Sequence, residues 1–358
     1  MLIYLCLSSH GYGHAARQAA VLIELHRLQP QWRFVVSTDV DFQFLNLALQ
    51  GVPFEHRKLR WDVGMVQANA LAIDQIATLK ALQELEQHIP AQIATEVSWL
   101  QSQHMSVLVL ADIPPAAAEL ADQLGVPLVW MGNFGWDEIY APLGDSFLTH
   151  AEAASAEYSR GQKLLRCPFS LAMDWGLPEQ SLGITASSPR SLPLGLQQKL
   201  ESFQGPIVMV GFGGLGLALD SELFQRWPDH LFLMPKPRSV DTFLRRQSPD
   251  NVLYLPRSIR VVDALPYCSR HLGKPGYSSF CEAISLGVGL HVVLREGFAE
   301  SVALINGLQS HAAHRLLERE ALELGEWELD QPLIPASQQP LAVDGSVEAA
   351  SAVVELVS

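Results

Sequence analysis

The stretch HLGKPGYSSFCEAISLGVG, residues 271–289, places a glycine-rich turn directly before a helix. Gly273 and Gly276 permit close backbone approach, and Lys274 brings a positive charge. Ser278 and Ser279 set hydroxyls where the first helical N–H groups have no partner. Such an end suits a diphosphate, because the helix dipole and the unpaired amides both favour an anion. Glu282, three residues after Ser279, is expected on the first turn, where it can accept from the two hydroxyls of a ribose. The same S-x-x-E spelling is also that of a capping box, in which both side chains only satisfy the backbone.

The chain around this stretch has 358 residues, enough for about two domains with their own cores. Hydrophobic residues make up 48% and charged ones 17%, which excludes a disordered chain. A formal charge of −14 argues against a general nucleic-acid binder, which needs a basic footprint to replace phosphate counterions. A bound nucleotide needs only local positive charge. Cys6, Cys167, Cys268 and Cys281 are scattered, so neither a disulfide framework nor a metal site is expected, and reduced thiols of a cytoplasmic protein are the default. MLIYLCLSS lacks a basic leader and reads as a first strand. No run reaches the length of a transmembrane helix, and a peripheral membrane contact stays open.

Leu2 to Leu7 has the pattern of a buried strand, followed by the turn SSHGYGH and by helical spacing from about Ala16. Arg33 to Ser37 supplies a second strand, so the chain opens with a βαβ unit whose turn lies at a carboxyl edge, where α/β sheets bind ligands. His14 in that turn is placed to act as a general base or to cap and pack against the helix, and His10 is a weaker candidate. The acidic pair Asp39 and Asp41 reads as a loop. From about Val66 to Gln103 the glycine-free composition predicts two helices separated near Pro90. VLVLAD, residues 107–112, is a buried strand ending in Asp112, which either orients the imidazole of His14 or caps the next helix. NFGWDEIYAPL, residues 133–143, offers rings and carboxylates either as a wall for a ring-bearing acceptor or as a core plug.

A Pro-, Ser- and Gly-rich segment predicts a linker at 181–204 between domains spanning 1–180 and 205–358. The second domain repeats the plan, with a buried strand and a glycine turn in which Gly213, Gly214 and Gly216 form a further candidate phosphate cradle. The expected fold class is α/β, with two Rossmann-like doubly wound parallel sheets facing across a cleft.

GYSSFCEAISLGV, residues 276–288, resembles the donor motif of plant-type glucosyltransferases, within the GT-B superfamily of nucleotide-sugar-dependent glycosyltransferases. That resemblance places Ser279 on the phosphate-binding serine and Glu282 on the ribose-binding glutamate, with Lys274 standing where those enzymes carry a phosphate-contacting histidine. HGYGH is similar to the glycine-rich opening of the bacterial transferase that adds N-acetylglucosamine to a peptidoglycan precursor, with His14 on the base position. Asp112 resembles the aspartate that orients the catalytic histidine in plant-type enzymes. HGYGHAARQAAVL, NFGWDEIY and KPGYSSFCEA are also similar to a glycosyltransferase-like segment attached to some sugar kinases. Gly289 replaces a usual proline, and REGFAES loosely represents the donor-sugar motif, with Glu296 or Glu300 as the sugar contact.

The resemblance implies inverting, metal-independent transfer from a nucleoside-diphosphate sugar, a UDP-sugar first, to a hydroxyl on a small-molecule or lipid-linked acceptor. The C-terminal half would bind the donor and the N-terminal half the acceptor. A non-hydrolysing nucleotide-sugar epimerase and a non-catalytic nucleotide-sugar-binding protein are the alternatives.

Overall fold

The computed structural model describes residues 1–66, 73–212, 219–236, 249–294 and 298–357. The first sheet is built from β1 (Leu2–Leu7), β2 (Arg33–Ser37), β3 (Glu55–Arg57), β4 (Val107–Asp112), β5 (Leu128–Gly132), β6 (Lys163–Arg166) and β7 (Glu179–Ser181). These strands pair in parallel in the order β3-β2-β1-β4-β5-β6-β7. Between them run α1 (Gly13–Leu28), α2 (Phe42–Ala48), α3 (Gln75–Ser102), α4 (Ala117–Leu124), α5 (Trp136–Tyr140) and α6 (Asp145–Tyr158). Helix α7 (Leu194–Ser202), inside the segment expected to link the domains, leads into the second sheet.

That sheet contains β8 (Ile207–Gly211), β9 (Leu231–Pro235), β10 (Val252–Leu255), β11 (Arg270–Gly273), β12 (Gly289–Val293) and β13 (His314–Leu317). Its order is β10-β9-β8-β11-β12-β13, again all parallel. The connecting helices are α8 (Ser221–Gln225), α9 (Val261–Ala264), α10 (Tyr277–Ser285), α11 (Glu300–His311) and α12 (Arg319–Leu324), and the chain ends in α13 (Gly345–Leu356). Parallel strands covered on both faces must be apolar throughout, and β1 and β4 are buried at every position.

Both sheets reverse their winding at one place, between β1 and β4 in the first and between β8 and β11 in the second. At such switch points the connections diverge to opposite faces and leave a crevice beyond the carboxyl ends of the strands. The sheets are not independent in packing. One apolar cluster runs from Leu5 and Leu22 through Met209 and Phe280 to Ala349 and Val353. The last helix, α13, packs on α1 and so brings the C-terminal segment back to the first sheet.

Two local features differ from expectation. Residues 75–102 form one helix with Pro90 inside it, in place of two helices. An internal proline costs about 3 kcal/mol; burial of Leu82, Ile93 and Leu100 on one side outweighs it. Residues 136–140 form a short helix in place of a loop, with Trp136 and Tyr140 buried in the core, so the aromatic pair plugs the domain and forms no open acceptor wall. Asp41 is a cap, its carboxylate accepting from the Gln43 N–H at 2.7 Å.

Gly273 ends β11 beside Gly211 of β8, and a Cβ there would sit 2.4 Å from the Gly211 carbonyl oxygen. Only backbone could yield. Gly273→Ala is therefore expected to cost about 1–3 kcal/mol in urea unfolding, and an unchanged midpoint would show that the two strands separate freely.

Candidate active site

Helix α1 starts at Gly13 immediately after the turn that leaves β1, so His14 sits at the first switch point. Asp112 ends β4, the strand on the other side of that switch point. The structure brings them together. His14 Nδ1 lies 2.8 Å from Asp112 Oδ1, with His14 7% exposed and Asp112 fully buried. Asp112 does not cap the next helix, whose N-cap is Ala116 without a side-chain bond.

Three further donors converge on this carboxylate, none of them assigned from the sequence. Arg17 reaches it twice, with Nε 2.8 Å from Oδ2 and NH2 2.5 Å from Oδ1. Gln18 Nε2 donates to Oδ2 at 2.8 Å. His14, Arg17 and Gln18 stand at i, i+3 and i+4, the spacing that aligns side chains on one face of a helix. Burial alone would push the Asp112 carboxyl up, but Arg17 and then His14 more than offset it and hold the group down at about 2. Burial would likewise weaken the Arg17 guanidinium, and the Asp112 charge reverses that and keeps it well above its ordinary value.

The second switch point supplies the other half. Strand β11 ends at Gly273, residues 274–276 turn, and α10 begins at Tyr277 with Gly276 as its N-cap. No side chain caps this helix, which removes the capping-box reading of Ser279 and Glu282. Because the helix begins two residues before Ser279, Glu282 lies on its second turn and not its first. Gly276 has extended backbone at φ −161° and a Cβ there would meet nothing nearer than 3.9 Å, so packing within the chain does not demand a glycine. Lys274 is half-buried in the turn, and Ser278 and Ser279 are half-buried on the first turn of α10. Burial pushes the Glu282 carboxyl up to about 7, with Arg260 lowering it and Asp263 raising it further.

The two helix starts meet. Ser278 Oγ donates to the Gly13 carbonyl at 2.7 Å, which sets the N-terminus of α10 against that of α1. Asn133, just beyond β5, accepts from Arg17 NH1 at 2.8 Å and donates through Nδ2 to Glu300 Oε1 at 2.8 Å. Glu300 is the first residue of α11, so this pair crosses from the first sheet to the second. The Arg17 guanidinium also lies 4.6 Å from the Tyr277 ring centre, and Tyr277 Oη is 2.9 Å from Thr185 Oγ1. Gly213, Gly214, Gly216 and Glu296 lie outside the described residues.

His10 is placed by packing. Its Nδ1 accepts from the Met65 N–H at 3.2 Å, and its ring stacks on Phe298 at 6.0 Å. Asp62 also approaches the His14 side of the crevice. Its Oδ2 accepts from Trp136 Nε1 at 2.8 Å, and burial, only partly offset by hydrogen bonds and by His14, raises its carboxyl. Among the described residues no group of three or more His, Cys, Asp or Glu side chains is arranged to hold a metal. No described helix is long and apolar enough to cross a membrane.

No protein-family model matches the chain. The L-arabinokinase of Arabidopsis thaliana is 29% identical over 336 residues, which cover 90% of this chain. The chain spans 31% of that relative's length. Phytolacca americana UGT2, solved with UDP-2fluoro-glucose and pterostilbene, superposes with a TM-score of 0.63 at 15% identity, over 99% of this chain and 93% of that one. The glycotransferase of kitacinnamycin superposes with a TM-score of 0.60 at 15% identity, over 99% and 98% of the two chains. The fold of this chain is GT-B, with two parallel sheets flanked by helices.

Proposed function

We propose that this protein is a glycosyltransferase that moves a sugar from a nucleoside-diphosphate sugar, a UDP-sugar first, to a hydroxyl of a small-molecule acceptor. The observation that carries this reading is the meeting of the two switch points, with a histidine–aspartate pair on one side and an uncapped helix start on the other. The acceptor oxygen attacks the anomeric carbon as its proton passes to His14 Nε2. The bond from that carbon to the diphosphate oxygen breaks, and the diphosphate leaves with the electron pair. One-step attack from the opposite face inverts the anomeric centre.

Charge on the leaving diphosphate would be met by Lys274, by the hydroxyl of Ser279, by that of Ser278 once it exchanges the Gly13 carbonyl for a phosphate oxygen, and by the free amides of α10, so that no metal is required by the scheme. Gly276 supports this placement because the space beside it is not filled by the chain itself. Glu282 would accept from the ribose hydroxyls, and Glu300 would exchange its Asn133 partner for the donor sugar. The acceptor would enter on the side of the first sheet, with 1–180 as its domain and 205–358 as the donor domain across the linker at 181–204.

Isothermal titration with a panel of nucleoside diphosphates tests the donor site. Uridine diphosphate is expected to bind, and Glu282→Ala to weaken it by about 10-fold or more, the worth of hydrogen bonds to a charged group. Absence of heat with every nucleotide of the panel would remove the donor site. Glu282 also has a stability signature. The folded chain keeps a proton that the unfolded chain releases above about 4.5, so stability falls as pH rises from there through about 7. Glu282→Gln is expected to unfold at higher urea than wild type at pH 8 and at the same urea at pH 4.

A further inference from the structure

We infer that Arg17 is a positioning residue for His14, holding Asp112 in the orientation that pins the imidazole in the tautomer with Nδ1 protonated and Nε2 open, and opposing its protonation by charge. The inference rests on the reading of His14 as the base. It begins from the donors around Asp112. Oδ2 accepts from Arg17 Nε and Gln18 Nε2, and Oδ1 from Arg17 NH2, while His14 Nδ1 stands 2.8 Å from Oδ1. An ionised carboxylate only accepts, so a close contact at that distance requires a hydrogen on Nδ1. In the neutral ring the lone pair is then on Nε2. Arg17 NH2 also lies 3.1 Å from Nδ1, and with both nitrogens carrying hydrogen this is an approach of two donors, not a bond. It becomes unfavourable when the ring gains a positive charge.

In a simple histidine–aspartate pair the carboxylate would stabilise the imidazolium. Here a guanidinium that is itself fully buried neutralises that carboxylate before the histidine is reached. The other groups around the pair do not replace Arg17. Asp62, from the segment after β3, acts on His14 with the opposite sign. Tyr277 of α10 and Cys167 after β6 are buried and held neutral by that burial. Glu300 is bridged to Arg17 by Asn133. Arg17 is thus the one cation among these groups, and its planar fork ties the orientation of Asp112 to that of Asn133 and to the edge of α10. Lysine keeps the charge and loses the fork.

The experiment is nitrogen and carbon NMR of histidine-labelled protein, with the His14 signals assigned by their loss in His14→Gln. In the wild type the His14 nitrogens are expected to show a protonated Nδ1 and a bare Nε2, and the reverse pattern overturns the proposal without any Arg17 variant. In Arg17→Met the pair is expected to take up its proton at higher pH, with proton affinity raised by about 10-fold or more, the usual effect of a close charge. In Arg17→Lys the proton affinity is expected to stay within a few-fold of wild type, with a mixed tautomer signal. A proton affinity in Arg17→Met equal to or below that of the wild type, with the other histidine signals unmoved, refutes the charge role. Uridine diphosphate titrated into the same samples separates the two ideas. A pinned tautomer without nucleotide binding removes the transferase and leaves the Arg17 assignment standing, and binding with an unpinned tautomer does the opposite.

Discussion

His14→Ala is expected to lower sugar transfer by about 100- to 10,000-fold, the range that a positioned general base contributes, while nucleoside-diphosphate affinity stays within a few-fold of wild type. The separation follows from where the two functions sit. His14 belongs to α1 and is held from the first sheet by Asp112, whereas the proposed phosphate and ribose contacts belong to the turn and helix after β11. The halves touch through the Gly13 carbonyl and Ser278, and that bond uses the backbone of α1, so it survives the substitution. The assay is release of free nucleoside diphosphate from a UDP-sugar in the presence of a panel of hydroxyl acceptors, with affinity read by calorimetry on the same preparations. Equal losses of turnover and of nucleotide affinity would place His14 in the donor site. Full turnover in the variant would show that no proton passes through His14, whereas donor binding without any turnover in the wild type is the behaviour of a protein that binds donor without transferring it.

The sequence carried the strands and the carboxyl edges at the two switch points because parallel strands buried on both faces leave an unmistakable record. Residues 2–7, 33–37 and 107–112 are read correctly from their apolar centres, and a histidine after the first of them and an aspartate that ends the last fall at carboxyl edges of any doubly wound sheet. Arg17 left no comparable record. A charged residue in the first turns of a helix usually faces water, and its burial depends on Asp112, Asn133 and Tyr277 from three other elements. The signal that was present is the stripe of His14, Arg17 and Gln18 in the N-terminal half of a helix whose next residues, 19–23, are all apolar. Glu282 shows a different limit. Its identity was legible, but its position on α10 depends on a start two residues earlier than Ser279, which S-x-x-E alone does not reveal. Pro90 was misread because tertiary burial overrode a local preference, and the same burial decided the open reading of Trp136 and Tyr140 in favour of the core plug. The return of α13 to α1 is likewise a matter of long-range packing, invisible to periodicity.

The largest loss of stability is expected from Asp112→Ala, about 3–5 kcal/mol, because it strands a fully buried guanidinium without its counter-charge. The loss is specific to the unpaired charge. Replacing both partners in Arg17→Met/Asp112→Ala is expected to recover most of it, since burying an ion pair is itself costly and an apolar pair removes that cost. Acid gives an independent reading with a defined sign. Asp112 is held at about 2 in the folded chain against an ordinary value of 3.8, so the folded state binds fewer protons in that interval. Its stabilising contribution is complete above about 4 and is lost as pH falls through about 2, worth roughly 2 kcal/mol across the window. Urea unfolding at pH 7 and at pH 3 checks both statements. The gap between wild type and Asp112→Ala should narrow at the lower pH, and in the double variant this part of the acid dependence should vanish. A loss under about 1 kcal/mol at pH 7, well below what a broken buried pair costs, would mean that water reaches Arg17 in solution. The donors that pin His14 would then no longer act as one unit.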